Sequence, residues 1–306
     1  MNSQAFAPIL LFVYNRLFHT QRLIESLRGN IEASKSDLFI YADAPANGER
    51  NQSVQDVRNY IHSLNGFRQI NIIERTQHFG LANNVIDAVS SVLTYFDRVI
   101  VLEDDLIVSP YFLQFMNDAL ETYKNEPKVG HIQACEYTQN PKLPETFLIK
   151  FPGSWGWGTW SRAWKYFNPN GAELLKKIQD RHLSYAFDFN GSYKYTRMLR
   201  RQIEGKNDSW AIRWNASLFL SDILSLNAGR SLVQNKGFDG TGTNCGAGGD
   251  FSSQLYTKPL PVIKIDPITE NNEAREYMRQ YYHSNYSFWA RVKRRIKRTL
   301  KGDWRA

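Results

Sequence analysis

Three consecutive carboxylates, Glu103, Asp104 and Asp105, follow directly on the apolar run RVIVL at 98–102. Unpaired carboxylates at the end of a buried strand are costly to desolvate. A hard divalent cation relieves their repulsion and keeps coordination sites open for diphosphate oxygens. A plain acidic turn is the alternative reading. Asp208 stands in Asp208-Ser209-Trp210, at the N-cap position of a helix expected over 210–224, and capping alone explains an Asp there. The segment 151–167, FPGSWGWGTWSRAWKYF, concentrates Trp155, Trp157, Trp160 and Trp164. The spacing of Trp157, Trp160 and Trp164 suits one helix face and hence core packing. The interleaved Gly153, Gly156 and Gly158 point instead to close approach of backbone to a ligand.

These residues need elements to hold them. Residues 8–14 (PILLFVY), 37–42 (DLFIYA), 69–74 (QINIIE) and 98–102 read as four strands, and 129–134 as a fifth. Between them, helical spacing recurs at 20–27, at Val54, Val57, Ile61 and Leu64, and over 80–95 with Leu81, Val85, Ala88, Val89 and Val92 inward. Strand–helix alternation with unbroken apolar strands predicts an α/β fold with a mostly parallel sheet covered on both faces. Ligands of such sheets sit at the carboxyl ends of the strands, where the acidic triplet lies. A helix follows Pro110 to about 125, and further helical patterns cover 193–204 and 210–224. Gly240, Gly242, Gly246, Gly248 and Gly249 lack the spacing and the strand–helix context of a dinucleotide fingerprint, so 237–249 is expected to be a lid.

The chain has 306 residues and a formal charge of +8, of which +7 falls within 288–306. The body is therefore nearly neutral. With 42% hydrophobic and 22% charged residues the chain is not of disordered type. No apolar run is long enough to span a bilayer, and the short apolar start reads as a strand and not as a signal peptide. Two cysteines, Cys135 and Cys245, make neither a disulfide framework nor a metal spacing, which fits a reducing cytoplasm. In the tail, Trp289, Val292, Ile296 and Leu300 fall at helical spacing among Lys and Arg. A basic amphipathic helix over 288–301 is the expectation, suited to an anionic membrane surface. Nucleic acid is the rival partner, but the body shows no nucleic-acid module.

FVYNR at the first strand, YADAP at the second, the block EDDLIVSPYFLQF and the block FPGSWGWGTW together resemble the GT-A fold glycosyltransferases. The likeness is to bacterial family 2-like sugar transferases and to N-acetylglucosaminyltransferase I-like enzymes, and it covers roughly residues 7–250. It implies a GT-A, Rossmann-like catalytic domain over 1–265. The nucleotide-sugar half would be 1–105 and the acceptor half 106–265, with an extension at 266–306. It further implies Mn2+ or Mg2+ as cofactor, with Asp105 as ligand, and Glu103 and Asp104 on the donor sugar and ribose. Asp43 would meet the nucleotide base, in a pocket lined by Tyr14, Asn15 and Arg16.

The resemblance also places a catalytic carboxylate before a Trp, which makes Asp208 the base, Asp188 the runner-up and Glu136 a third choice. Trp155, Trp157 and Gly156 would close over donor and acceptor sugar. Asn244 stands where relatives carry a His that completes the metal shell. Arg75 and His78, in ERTQHFGLANN, are either donor contacts or a helix-capping loop, and His78 has no partner spaced for metal binding.

The expected activity is metal-dependent, inverting transfer of a sugar from a nucleotide-diphospho-sugar, UDP-linked by expectation, to a glycan or lipid-linked hydroxyl. It would serve bacterial surface polysaccharide or lipopolysaccharide synthesis on the cytoplasmic face of the membrane. A sugar nucleotidyltransferase would need a basic Gly-rich loop after the first strand, and YNRLFHT is not one. A non-catalytic membrane- or nucleic-acid-binding protein is the reading from another class.

Overall fold

A computed structural model describes residues 6–46, 52–238 and 254–286. The expected helix at 288–301, Asn244, Cys245 and all but the first two residues of the 237–249 stretch lie outside the described residues. The first half alternates β1 (Ile9–Val13), α1 (Leu17–Arg28), β2 (Asp37–Ala42), α2 (Gln52–His62), β3 (Gln69–Glu74), α3 (Gly80–Val92) and β4 (Arg98–Glu103). The four strands are parallel in the order β3-β2-β1-β4. Every residue of β1 is buried, as are the first five of β4, which is why both read as unbroken apolar runs. Their register fixes the site: Phe12 lies opposite Glu103, and Val13 opposite Ala42. Tyr14, Asp43 and Asp104, the first residues past β1, β2 and β4, therefore all leave the sheet at its carboxyl edge.

The second half contains β5 (Leu106–Val108), α4 (Phe112–Thr122), β6 (Val129–Gln133), β7 (Thr146–Ile149), β8 (Trp157–Trp160) and α5 (Ser161–Trp164). Then come α6 (Gly171–Asp180), α7 (Ser184–Phe187), α8 (Tyr195–Ile203), α9 (Trp210–Leu220), β9 (Leu224–Ala228), β10 (Val233–Asn235) and α10 (Asn272–Tyr286). The eight-stranded sheet runs β3-β2-β1-β4-β8-β6-β9-β7. Four of its pairings are parallel, and β8 is antiparallel to both β4 and β6. This is the α/β class expected, a mostly parallel central sheet flanked by helices. β5 and β10 form a separate antiparallel ribbon beyond the acidic triplet.

The Trp-rich segment differs from the expected helix face, because Trp157 and Trp160 belong to strand β8. Gly158 is needed there: a Cβ would stand 3.0 Å from the Val99 carbonyl and from the Met116 side chain. Trp157 stacks on His131 at 5.3 Å and on Trp210 at 4.8 Å, so the indoles fasten α9 to the sheet. Burial lowers the His131 pKa to about 3. Its Nδ1 accepts a hydrogen bond from the Trp214 indole N–H at 3.1 Å. Below pH 6.5 the unfolded chain takes up a proton at this imidazole that the fold does not. Stability at this site should therefore fall by about 1.4 kcal/mol per pH unit as pH drops from 6.5 toward about 3. Urea midpoints measured across that range should show the slope, and His131→Asn should flatten it.

Two hydrophobic cores result. The larger joins the parallel half, α4 and the Trp cluster; the smaller gathers β7, α6, α7, α8 and α10. The expectation set 266–306 apart as an extension, yet α10 buries Ala274, Met278 and Tyr282 in the smaller core.

Candidate active site

A cavity of about 1220 Å³ opens where the two cores meet. One wall is the carboxyl edge of β1, β2 and β4 with the start of α3; the other comes from the chain around α8, the start of α9 and the end of α10. Of the expected donor residues, Tyr14, Asn15, Arg16, Asp43, Glu103, Asp104 and Asp105 all line it, and so does Asp208 from the opposite wall.

One cation, Arg16, pairs with the acidic edge. Arg16 donates to Asp104 through its guanidinium and to Asp105 Oδ2 at 3.3 Å. Burial pushes the Glu103 carboxyl up to about 8, with the neighbouring Asp105 and Asp104 charges adding to it and Arg16 opposing. Burial likewise raises Asp104, to about 6, against the pull of Arg16. Three acids with one guanidinium thus leave the edge short of positive charge.

Asp105 Oδ1 is buried and accepts no hydrogen bond. A Cβ on Gly237 would stand 2.3 Å from Asp105 Oδ2, so only glycine lets the chain pass this carboxylate. Among the described residues no three His, Cys, Asp or Glu side chains converge as a metal cage. One carboxylate with an open oxygen, beside space for a diphosphate, is nevertheless the donor set that Mg2+ or Mn2+ uses in nucleotide enzymes. The residues fit such an ion, which Asp105 Oδ1 would hold.

Asp43 lines the cavity and also carries a structural role. Its carboxylate accepts from the backbone N–H groups of Ala44, Phe79 and Gly80, each at 2.9 Å, and His78 Nδ1 lies 3.0 Å from Oδ2. It lines the cavity while anchoring the start of α3, whose free N–H groups it satisfies. Asp43→Ala should therefore cost about 1–3 kcal/mol of stability. A urea midpoint equal to that of the unaltered protein would contradict the anchoring role.

Arg75 does not reach the cavity. Its guanidinium donates to Asn84 Oδ1 at 2.9 Å, pairs with Asp87 at 2.5 Å and lies over the Phe79 ring, so it braces α3. His78 does line the cavity, its imidazole 5.5 Å from the Tyr14 ring. Trp155 lines the cavity as expected, but Trp157 is fully buried in the core behind it. Gly156 also faces inward: at φ +65°, its missing Cβ would meet Val233 at 2.6 Å, so packing and backbone conformation demand glycine there.

At Asp208 the expected cap moves by one residue. Ser209 is the N-cap of α9, its hydroxyl accepting from the Ile212 N–H at 3.3 Å. Asp208 is left outside the helix, mostly exposed, and 3.3 Å from Arg213. Neither rival base fits. The Glu136 carboxylate is consumed by Thr138 and Gln139, Asp188 by the Thr196 N–H and hydroxyl, and neither lines the cavity.

Several lining residues escaped the sequence reading. Leu81, expected inward, is 37% exposed and faces the cavity. Tyr193, Lys194, Arg197, Arg201, His283 and Tyr286 complete the far wall. The one available signal was that 189–203 contains no acid while Lys194, Arg197, Arg200 and Arg201 recur at helical spacing.

No protein-family model matches the sequence, and no curated protein matches it. Among solved structures the chain is similar to S. aureus TarS residues 1–349, at 15% identity over 52% of this chain and 48% of that one, with a TM-score of 0.37. The chain thus spans about half the length of that TarS structure. It is similar to the mannosyltransferase PcManGT of Pyrobaculum calidifontis, in complex with GDP-Man and Mn2+, at 10% identity over 72% and 70% of the two chains, TM-score 0.39. An active-site mutant of LgtC aligns at 9% identity over 56% of this chain and 65% of its own, TM-score 0.36.

Proposed function

We propose that this chain is a GT-A-type glycosyltransferase. It would move a sugar from a nucleotide-diphospho-sugar to an acceptor hydroxyl, with inversion and with Mn2+ or Mg2+ as cofactor. The observation that carries the reading is a single cavity with the acidic strand edge on one wall and the uncapped Asp208 on the other. A bound divalent ion would offset charge developing on the diphosphate as it leaves. Glu103 and Asp104 offer acceptors to hydroxyls of the donor sugar and ribose. Arg16 holds Asp104 and Asp105 in place. Asp208 takes the proton from the acceptor hydroxyl as its oxygen bonds to the anomeric carbon and the bond to the diphosphate breaks. Inversion requires one base and no covalent intermediate.

Uracil is the base we propose for the donor nucleotide, and a glycan or lipid-linked acceptor for surface polysaccharide or lipopolysaccharide. Among the described residues no helix is long and apolar enough to cross a membrane. The +7 charge of 288–306 supports work at an anionic membrane surface.

Hydrolysis of UDP-sugars in the presence of Mn2+ tests the reading. It should be measurable and should fall at least 100-fold in Asp105→Asn. A melting temperature that no nucleotide sugar shifts, with Mn2+ present, would overturn it.

A further inference from the structure

The cavity is lined by groups of both charges. Besides the acidic edge, Lys194, Arg197 and Arg201 line it, Lys194 at the N-cap of α8 and the two arginines one turn apart on it. All three are exposed. The acids nearest in sequence are already engaged: Asp188 accepts from Thr196, Glu204 pairs with Lys206 at 2.8 Å, and Asp208 with Arg213 at 3.3 Å. Among the described residues, none of the three cations has an ion-pair partner.

Part of this placement is unfavourable in an empty protein. The first turn of α8 has no acid and its N-cap is a lysine, which opposes the helix dipole, whereas Arg201 in the last turn complements it. Arg197 and Arg201, one turn apart, repel each other. An anion in the cavity offsets both penalties. Arginine pairs present fork-shaped donors suited to phosphate oxygens. Helix α8 packs into the smaller core through Tyr195 and Leu199, whereas the strands behind Asp105 belong to the larger, so the stripe and the acidic edge are carried by different parts of the fold.

We propose that Lys194, Arg197 and Arg201 form the subsite for a phosphate group carried by the acceptor, beside the hydroxyl that receives the sugar. The proposal rests on the glycosyltransferase reading for the word acceptor, and on the stripe alone for the phosphate. The phosphate belongs either to the diphosphate headgroup of a lipid or to a phosphodiester polymer.

The test uses the full chain, saturated with UDP and Mn2+ so that the donor wall is filled. Farnesyl diphosphate and a glycerol-phosphate hexamer are the phosphate probes, with farnesol and a dextran hexasaccharide as their uncharged counterparts. Each phosphate probe that binds should do so at least tenfold more tightly than its counterpart, and the tighter of the two names the source. The double variant Arg197→Glu, Arg201→Glu should weaken that binding at least tenfold. The charge-matched control Lys176→Glu, Lys177→Glu, on the exposed face of α6, should change it less than twofold. If the glutamate variant does not fold, Arg197→Gln with Arg201→Gln is read instead, with at least a threefold loss expected.

Equal weakening in control and stripe variants would overturn the subsite, as would uncharged probes binding as tightly. A single-stranded DNA dodecamer that binds more tightly than both probes, and depends on the stripe, would overturn the acceptor assignment. If UDP and every other nucleoside diphosphate fail to raise the melting temperature, the transferase reading falls. The probe titration without nucleotide then still decides the stripe.

Discussion

Asp208→Asn should lower sugar transfer by about 10²–10⁴-fold while leaving the fold and the donor wall as they are. The expectation follows from the division of labour at the start of α9. Ser209 caps the helix, so the amide at 208 removes no cap hydrogen bond. The pair with Arg213 at 3.3 Å involves a largely exposed carboxylate, and such a pair contributes no more than about 1 kcal/mol. Asparagine keeps the shape and cannot accept a proton in its place. Steady-state rates with a fixed donor, alongside the nucleotide-induced shift in melting temperature, separate the two roles. Turnover unchanged in this variant would remove Asp208 from catalysis.

The largest effect on stability should come from Trp157→Ala, at about 3–5 kcal/mol. Trp157 is fully buried between His131 and Trp210, with Trp164 at 6.2 Å, and removing the indole empties the joint between sheet and α9. Trp157→Phe should cost much less, because the buried indole nitrogen has no hydrogen-bond partner to lose. Urea midpoints of the two variants decide the matter. A small loss in the alanine variant would mean that this cluster does not carry the packing load assigned to it.

The parallel half was legible because each of its strands is a short apolar run and each helix shows one apolar face. Residues 69–74 and 80–92 were placed to within a few residues. The second half was less legible. β8 contains two Trp and a Gly, and its spacing satisfies a helical face as well as a strand. β7, β9 and β10 are short, and only the long-range pairings define them. Within the site, the acidic triplet stood out because charge follows directly on a buried run. For Arg75 the sequence left donor contact and a helix-capping loop open, and for Asp43 it did not reveal that backbone N–H groups occupy the carboxylate, since such long-range partners leave no local signal. The basic stripe of α8 was passed over because a run of cations on a helix is ordinarily a solvated face.

Strand β8 has a consequence for how this chain could be rearranged. It fills the gap between β4 and β6, yet it comes from residues 157–160, over fifty positions after β4 ends. A fragment stopping at Asp105 would carry the whole acidic edge but expose β4 as a bare, apolar margin open to pairing with any other chain. Grafting residues 1–105 onto a foreign second half would thus need the recipient to supply a strand of opposite direction and matching small-residue profile. The parallel half is not a transplantable module, and chimeras joined at this point should be recovered as aggregates.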